Sequence, residues 1–195
     1  MNSRAYRMGA RADAARLTGE RIIQALVSLY LEQPLDDIRL GDVAERAGVT
    51  VQTVIRRFGS KEGLVAAAVE SVAGQVAEQR GTARPGDTAD VVRVLVEHYE
   101  QVGDLSLKLL ADEPASPAIG PIADTGRRVH RDWCRTVFAP TLARLDGDEH
   151  RRRLAQLVAV CDVYVWKLLR RDAGLSREQT ELALRELLSP LTQEP

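Results

Sequence analysis

Aromatic residues make up only 4% of this chain, and it holds just two cysteines, Cys134 and Cys161. They lie far apart in apolar, helix-like stretches. No metal-ligand spacing accompanies them, which excludes a zinc ribbon or a disulfide-stapled scaffold and leaves buried intracellular thiols as the expectation. No run approaches the roughly 18 apolar residues of a membrane span, and the start lacks the apolar core of a secretion signal. The expectation is a cytoplasmic protein with no membrane partner. Net charge is −1 over 195 residues, which excludes a histone-like polycation. Nothing alternates as a half-buried strand does, and there is no internal repeat or low-complexity tract. What abounds is Ala, Leu, Arg and Glu, the better helix formers, in a chain that is 45% hydrophobic. Its length suits one or two domains with a sizeable core.

The most informative stretch is 38–64. Val43, Ala44 and Ala47 share one helix face, Gly48 stops that helix, and Thr50 is a natural N-cap for the next. Two short helices joined by a Gly-containing turn form a helix-turn-helix, whose second helix is shaped to enter a major groove. In that second helix, about 51–57, Val54 and Phe58 are spaced to face the core, while Gln52, Thr53, Arg56 and Arg57 point outward. Charge distribution agrees: residues 1–62 carry +2 and residues 63–195 carry −3. At the start, Arg4, Arg7, Arg11 and Arg16 face only Asp13. That segment reads either as a solvated tail or as an arm touching phosphate or minor groove.

The 43–50 run (Val-Ala-Glu-Arg-Ala-Gly-Val-Thr) and the 56–64 run (Arg-Arg-Phe-Gly-Ser-Lys-Glu-Gly-Leu) resemble the TetR family of transcriptional regulators. Two departures stand out. Ile55 replaces a frequent Tyr, and Arg39 replaces the usual Thr or Ser cap. Within this frame the candidate DNA contacts are Arg39, Thr50, Val51, Gln52, Thr53, Arg56, Arg57 and Lys61. Gln52 can pair with adenine N6/N7, an Arg can read guanine O6/N7, and Val51 can touch a thymine methyl. Thr50 and Lys61 sit at helix starts, where free N–H groups favour phosphate.

The organisation expected is all-α: a three-helix helix-turn-helix head followed by a helical bundle for ligand binding and dimerisation. A flexible basic arm occupies 1–16, the head with its connecting helix 17–80, and the bundle 87–195, with a boundary near Gln79–Gly86. The first helix should run from a Thr18 cap to Gln33, ended by Pro34. Ser60 caps a helix over 61–80. Helices follow over 88–102, 105–111, 122–138 and 149–171, separated by a linker at 81–86 and a Pro-rich loop at 112–121. Ser176, with Gln179 at the capping-box position, starts the last helix.

The resemblance implies a ligand pocket among the central helices and a dimer interface made by the last two. The residues that fit a pocket are Tyr99, Leu107, Leu110, Trp133, Asp162 and Trp166, with Asp162 as an acid beside the Trp166 ring. Ordinary core packing is the competing reading for each. For the interface, Leu154, Val158, Cys161, Val165 and Leu168 step by 4, 3, 4 and 3 like a coiled-coil seam, and Leu184, Leu187 and Leu191 add a second stripe. No cofactor, metal site or nucleophilic triad is indicated. His130 and Cys134 are spaced as a metal pair, but no third ligand is visible. The leading expectation is a homodimeric repressor that a small-molecule effector releases from operator DNA. The alternatives are a DNA-binding regulator controlled by a protein partner, and a helical enzyme.

Overall fold

The computed structural model describes residues 3–193, with side chains from residue 13 onward. The described residues hold helices, turns and no strand. They form two compact units, Met1–Gly74 and Gln75–Pro195. The division falls inside a helix, upstream of the boundary expected at Gln79–Gly86.

The first unit begins with α1 (Ser3–Glu32), twice as long as the sequence implies. Thr18 is no N-cap: its hydroxyl donates to the Ala14 carbonyl one turn back, at 2.8 Å. Residues 3–16 are thus helical backbone rather than a flexible arm, while the side chains of Arg4, Arg7 and Arg11 lie outside the described residues. Pro34 and a single 3₁₀ turn, Leu35–Asp37, lead into α2 (Leu40–Ala47). Gly48 supplies the left-handed corner, at φ 64°, a conformation that costs a side-chain-bearing residue 1–2 kcal/mol. Next come α3 (Val51–Phe58) and α4 (Lys61–Arg80). As expected, the Ser60 hydroxyl caps α4, accepting from the Gly63 N–H at 3.2 Å. Ile22, Leu26, Val43, Ala44, Val54 and Leu64 close the core from four helices. Arg46 clamps α2 to α1: its two terminal nitrogens donate to the two Glu32 oxygens, both at 2.7 Å, and one also to Ser28.

The second unit is built around α5 (Thr88–Asp112), one unbroken helix where two were expected. Gly103 is not a helix stop. It lets the Trp166 ring lie flat on the helix, where a Cβ would stand 2.5 Å from Cζ3. Then follow α6 (Gly120–Val137), the short α7 (Ala139–Leu142) and α8 (Gly147–Val160). The helix expected over 149–171 is broken. Asp162 accepts from the Tyr164 N–H at 3.0 Å and caps a new helix, α9 (Val163–Lys167), which gives way to a π-helical turn at Leu168–Asp172. Asp is prone to such breaks because its side chain offers the backbone an alternative partner. Arg170 pins the turn to Glu100 of α5 at 2.7 Å. Last is α10 (Arg177–Thr192), begun by the expected Ser176–Gln179 capping box.

Two buried polar groups tie this unit to pH. Asp90 receives Arg93 at 2.8 Å and the Arg84 N–H at 2.9 Å, which hold its carboxyl down at about 2. Its contribution is complete above the ordinary carboxylate range and is lost only as pH falls towards 2. His98 matters over a wider span: burial, helped by the Arg80 charge, holds it neutral with a pKa of about 2. The unfolded chain protonates this imidazole below about pH 6.5 and the folded one does not. Stability should therefore fall by up to about 1.4 kcal/mol per pH unit on acidification from 6.5. Urea unfolding at pH 7.5 and 5.0 checks this, and His98→Gln should flatten that part of the profile.

Candidate functional site

Helix α3 offers its outer face to solvent. Thr50 caps it, its hydroxyl accepting from the Thr53 N–H at 3.2 Å and lying 3.0 Å from the Thr53 hydroxyl. Val54 is fully buried and fixes the helix's rotation about its axis. That rotation exposes Val51, Gln52, Ile55 and Arg56, two i, i+4 pairs side by side. Val51 and Ile55 are both 41% exposed, unusual for β-branched residues with no protein partner to cover them. Ile55 was not among the expected contacts. Its signal was present, since a residue one turn after Val51 must share Val51's face.

The other expected contacts are placed differently. Arg57, though exposed, turns back within its own unit: its guanidinium lies over the Phe58 ring at 5.8 Å and against α1 at Gly19, where a methyl group would push it aside. Phe58 itself is only half-buried. Lys61 donates to the Asp36 carbonyl at 3.1 Å, bridging α4 to the 3₁₀ turn. Arg39 precedes α2, and its N–H donates to Asp42 at 2.9 Å; its side chain is exposed. Thr50 and Thr53 serve α3's own cap. The strongest outward set is Val51, Gln52, Ile55 and Arg56.

In the second unit five of the six expected pocket residues gather about one core, with Asp162 beside it, and none of the six borders either groove described below. Tyr99 and Trp166 are buried, their rings 5.8 Å apart, and the Tyr99 hydroxyl donates to the Cys161 carbonyl at 2.9 Å. Leu107, Leu110 and Trp133 pack partly buried against the same cluster. Asp162 is not an inward acid, because its carboxylate is spent on the α9 cap. The charge that does point inward is a cation, Arg80. It is 5% exposed, with its guanidinium 4.8 Å from the Trp133 ring centre and 5.6 Å from that of Tyr99. Two open grooves lie elsewhere. One of 560 Å³ borders Pro121, Asp124 and Arg128 on α6, and one of 760 Å³ runs along Leu17, Arg21 and Ala47 in the first unit.

The expected dimer seam does not survive the break at Asp162. Leu154, Cys161 and Leu184 are at most 3% exposed inside the unit's own core, where no second chain can reach them. Val158, Val165 and Leu191 pack partly buried against that core. Leu168 and Leu187 remain outside, 58% and 47% exposed, with Tyr164 and Leu182 also exposed nearby in sequence.

Residues 22–68 match the family model of the bacterial regulatory proteins, tetR family. No curated protein matches the chain. Among solved structures, a transcriptional regulator from Rhodococcus sp. Rha1 is similar in fold, with a TM-score of 0.67 at 21% identity, over 91% of this chain and 99% of that one. The SmeT–triclosan complex has a TM-score of 0.66 at 15% identity, over 92% and 98%. A tetR-family transcriptional regulator from Streptomyces coelicolor has 0.59 at 16%, over 89% and 80%. Residues 22–68, with the capped, outward-facing helix α3, thus carry the domain of the tetR-family model, and the chain shares its fold with these solved transcriptional regulators.

Proposed function

We propose that this regulator is a homodimeric repressor and that a small molecule bound in the second unit releases it from operator DNA. The observation that carries DNA reading is the α3 face: Gln52 and Arg56 are suited to base edges, flanked by two apolar side chains suited to thymine methyls. Dimerisation rests on the exposed Leu168 and Leu187, and on one recognition helix burying too little to be specific alone. The effector reading rests on SmeT, solved with triclosan, having this fold. A non-enzymatic role follows from the same reading. The partner-controlled alternative keeps one observation in its favour, that neither described groove is lined by the six expected pocket residues.

Sequences selected from random duplex by the purified protein, then titrated at increasing salt, test the reading. Affinity for the best duplex should fall steeply with salt, as phosphate contacts release counterions. Gln52→Ala and Arg56→Ala should each cost about 1–3 kcal/mol and relax preference at particular base pairs. Arg57→Ala should weaken all sequences alike. A salt-independent affinity would sink the DNA-binding interpretation. Dissociation of the complex by compounds from a chemically broad set separates effector control from partner control.

A further inference from the structure

Four groups that DNA reading leaves unused meet in the core of the second unit: Arg80, His130, Cys134 and Cys161. Arg80 is a buried cation whose Nε has no hydrogen-bond partner, and no carboxylate lies within ion-pair distance of it among the described residues. A buried charge without compensation is strongly unfavourable, so a group that can carry negative charge should stand close by. His130 shows where. Its Nε2 lies 3.1 Å from the Val158 carbonyl, which can only accept, so Nε2 carries the proton. Nδ1 is then free to accept from Arg80 Nη1 at 3.3 Å. Nε2 is also 3.8 Å from Cys134 Sγ, and Cys161, buried in the same core cluster, is the neighbour with the largest influence on that thiol.

The Cys161 hydrogen bond is the largest influence on Cys134. With His130 and Arg80 it outweighs burial and holds the thiol below its ordinary value. The same contact, with burial, pushes Cys161 well up. The other groups facing the pair are His98 and Tyr99 of α5, both neutral, and Asp162 beyond Cys161. His130 and Arg80 thus favour the thiolate form of Cys134, while Cys161 keeps its proton.

We propose that Cys134 and Cys161 are a dithiol modification site at which a peroxide closes an intramolecular disulfide. The Cys134 thiolate attacks one peroxide oxygen, the O–O bond breaks, and hydroxide leaves a sulfenic acid. The Cys161 sulfur then attacks the Cys134 sulfur and displaces its hydroxyl, which departs with the Cys161 proton as water. Two thiols and one hydrogen peroxide become one disulfide and two waters. Both sulfurs are 0% exposed, so the site admits a water-sized oxidant during local opening and excludes bulky thiol reagents. Closure removes the negative charge from beside Arg80, the last residue of α4.

The reduced full-length protein is treated with hydrogen peroxide across pH 5–9, and thiols are counted after denaturation. The expected result is loss of both thiols, a Cys134–Cys161 linked peptide on digestion, and a rate reaching half its maximum below the ordinary thiol range. Cys161→Ser should stop at a Cys134 sulfenic acid that dimedone traps, and an aromatic disulfide reagent should react far more slowly than peroxide with folded wild type. Two thiols surviving excess peroxide, or a half-maximal rate above pH 8, would overturn the proposal. So would oxidation of Cys134 without linkage in the wild type. The pH profile needs no variant, so misfolding of a substituted protein leaves it decisive.

Discussion

Trp166→Ala is expected to cost the second unit about 3–5 kcal/mol, the range for removing a fully buried large aromatic residue. The ring is 0% exposed, lies on Gly103, faces Tyr99, and carries the Arg171 guanidinium 4.8 Å from its centre. Few neighbours can collapse into the space, because α5 and α9 are already in contact. Trp166→Phe makes a useful contrast. The indole Nε1 is buried without a partner, so losing it forfeits no hydrogen bond, and a cost below about 1.5 kcal/mol is expected. Urea unfolding followed by circular dichroism, at one fixed protein concentration because assembly feeds into apparent stability, measures both. Equal losses for the two variants would show that the packing argument is wrong.

Leu187→Glu should leave the fold intact and yield a monomer. The side chain is 47% exposed on α10, at the edge of a buried stripe of Thr180, Leu184 and Leu188 that holds the helix to its own unit. A charge there costs the single chain little and an apolar self-contact much. Light scattering reads the oligomeric state. Binding to a two-half-site duplex should drop by about 10²–10⁴-fold, since the second recognition helix would no longer be held at high effective concentration. Leu184→Glu is the opposite control, expected to unfold the unit because that position is 1% exposed. If Leu187→Glu remains dimeric with full affinity, the proposed interface lies elsewhere.

Local signals carried the head and failed in the body, for a physical reason. The caps at Thr50, Ser60 and Ser176 and the Gly48 corner are decided within three or four residues, so they were legible in the sequence. Gly103 lies in the gap expected between helices 88–102 and 105–111, yet its role is set by Trp166, which is distant in sequence. Asp162 resembled a pocket acid on a continuous helix, but its carboxylate reaches the backbone two residues on and ends that helix. Once the helix breaks, the 4-3-4-3 stepping from Leu154 to Leu168 no longer describes one face, and the seam dissolves into core and surface. Arg80 went unnoticed because a terminal Arg on an exposed-looking helix carries no sign of burial. Arg57 resembled Arg56 in sequence, and only the close approach of α1 at Gly19 separates their fates.

The outward side of α3 sets Arg56 beside Val51 and Ile55, and that mixture divides how tightly the protein holds DNA from how well it chooses. Counterion release weakens with ionic strength, whereas contact with a thymine methyl does not. Replacing operator thymines by uracil removes only the methyl, so the resulting penalty should stay constant from dilute buffer to high salt while total affinity collapses. Cytosine methylated at C5 presents a methyl at the matching place in the major groove. A duplex carrying it in place of an operator thymine, with guanine opposite, should recover part of the lost discrimination, which would make this recognition surface sensitive to an epigenetic mark through two aliphatic side chains.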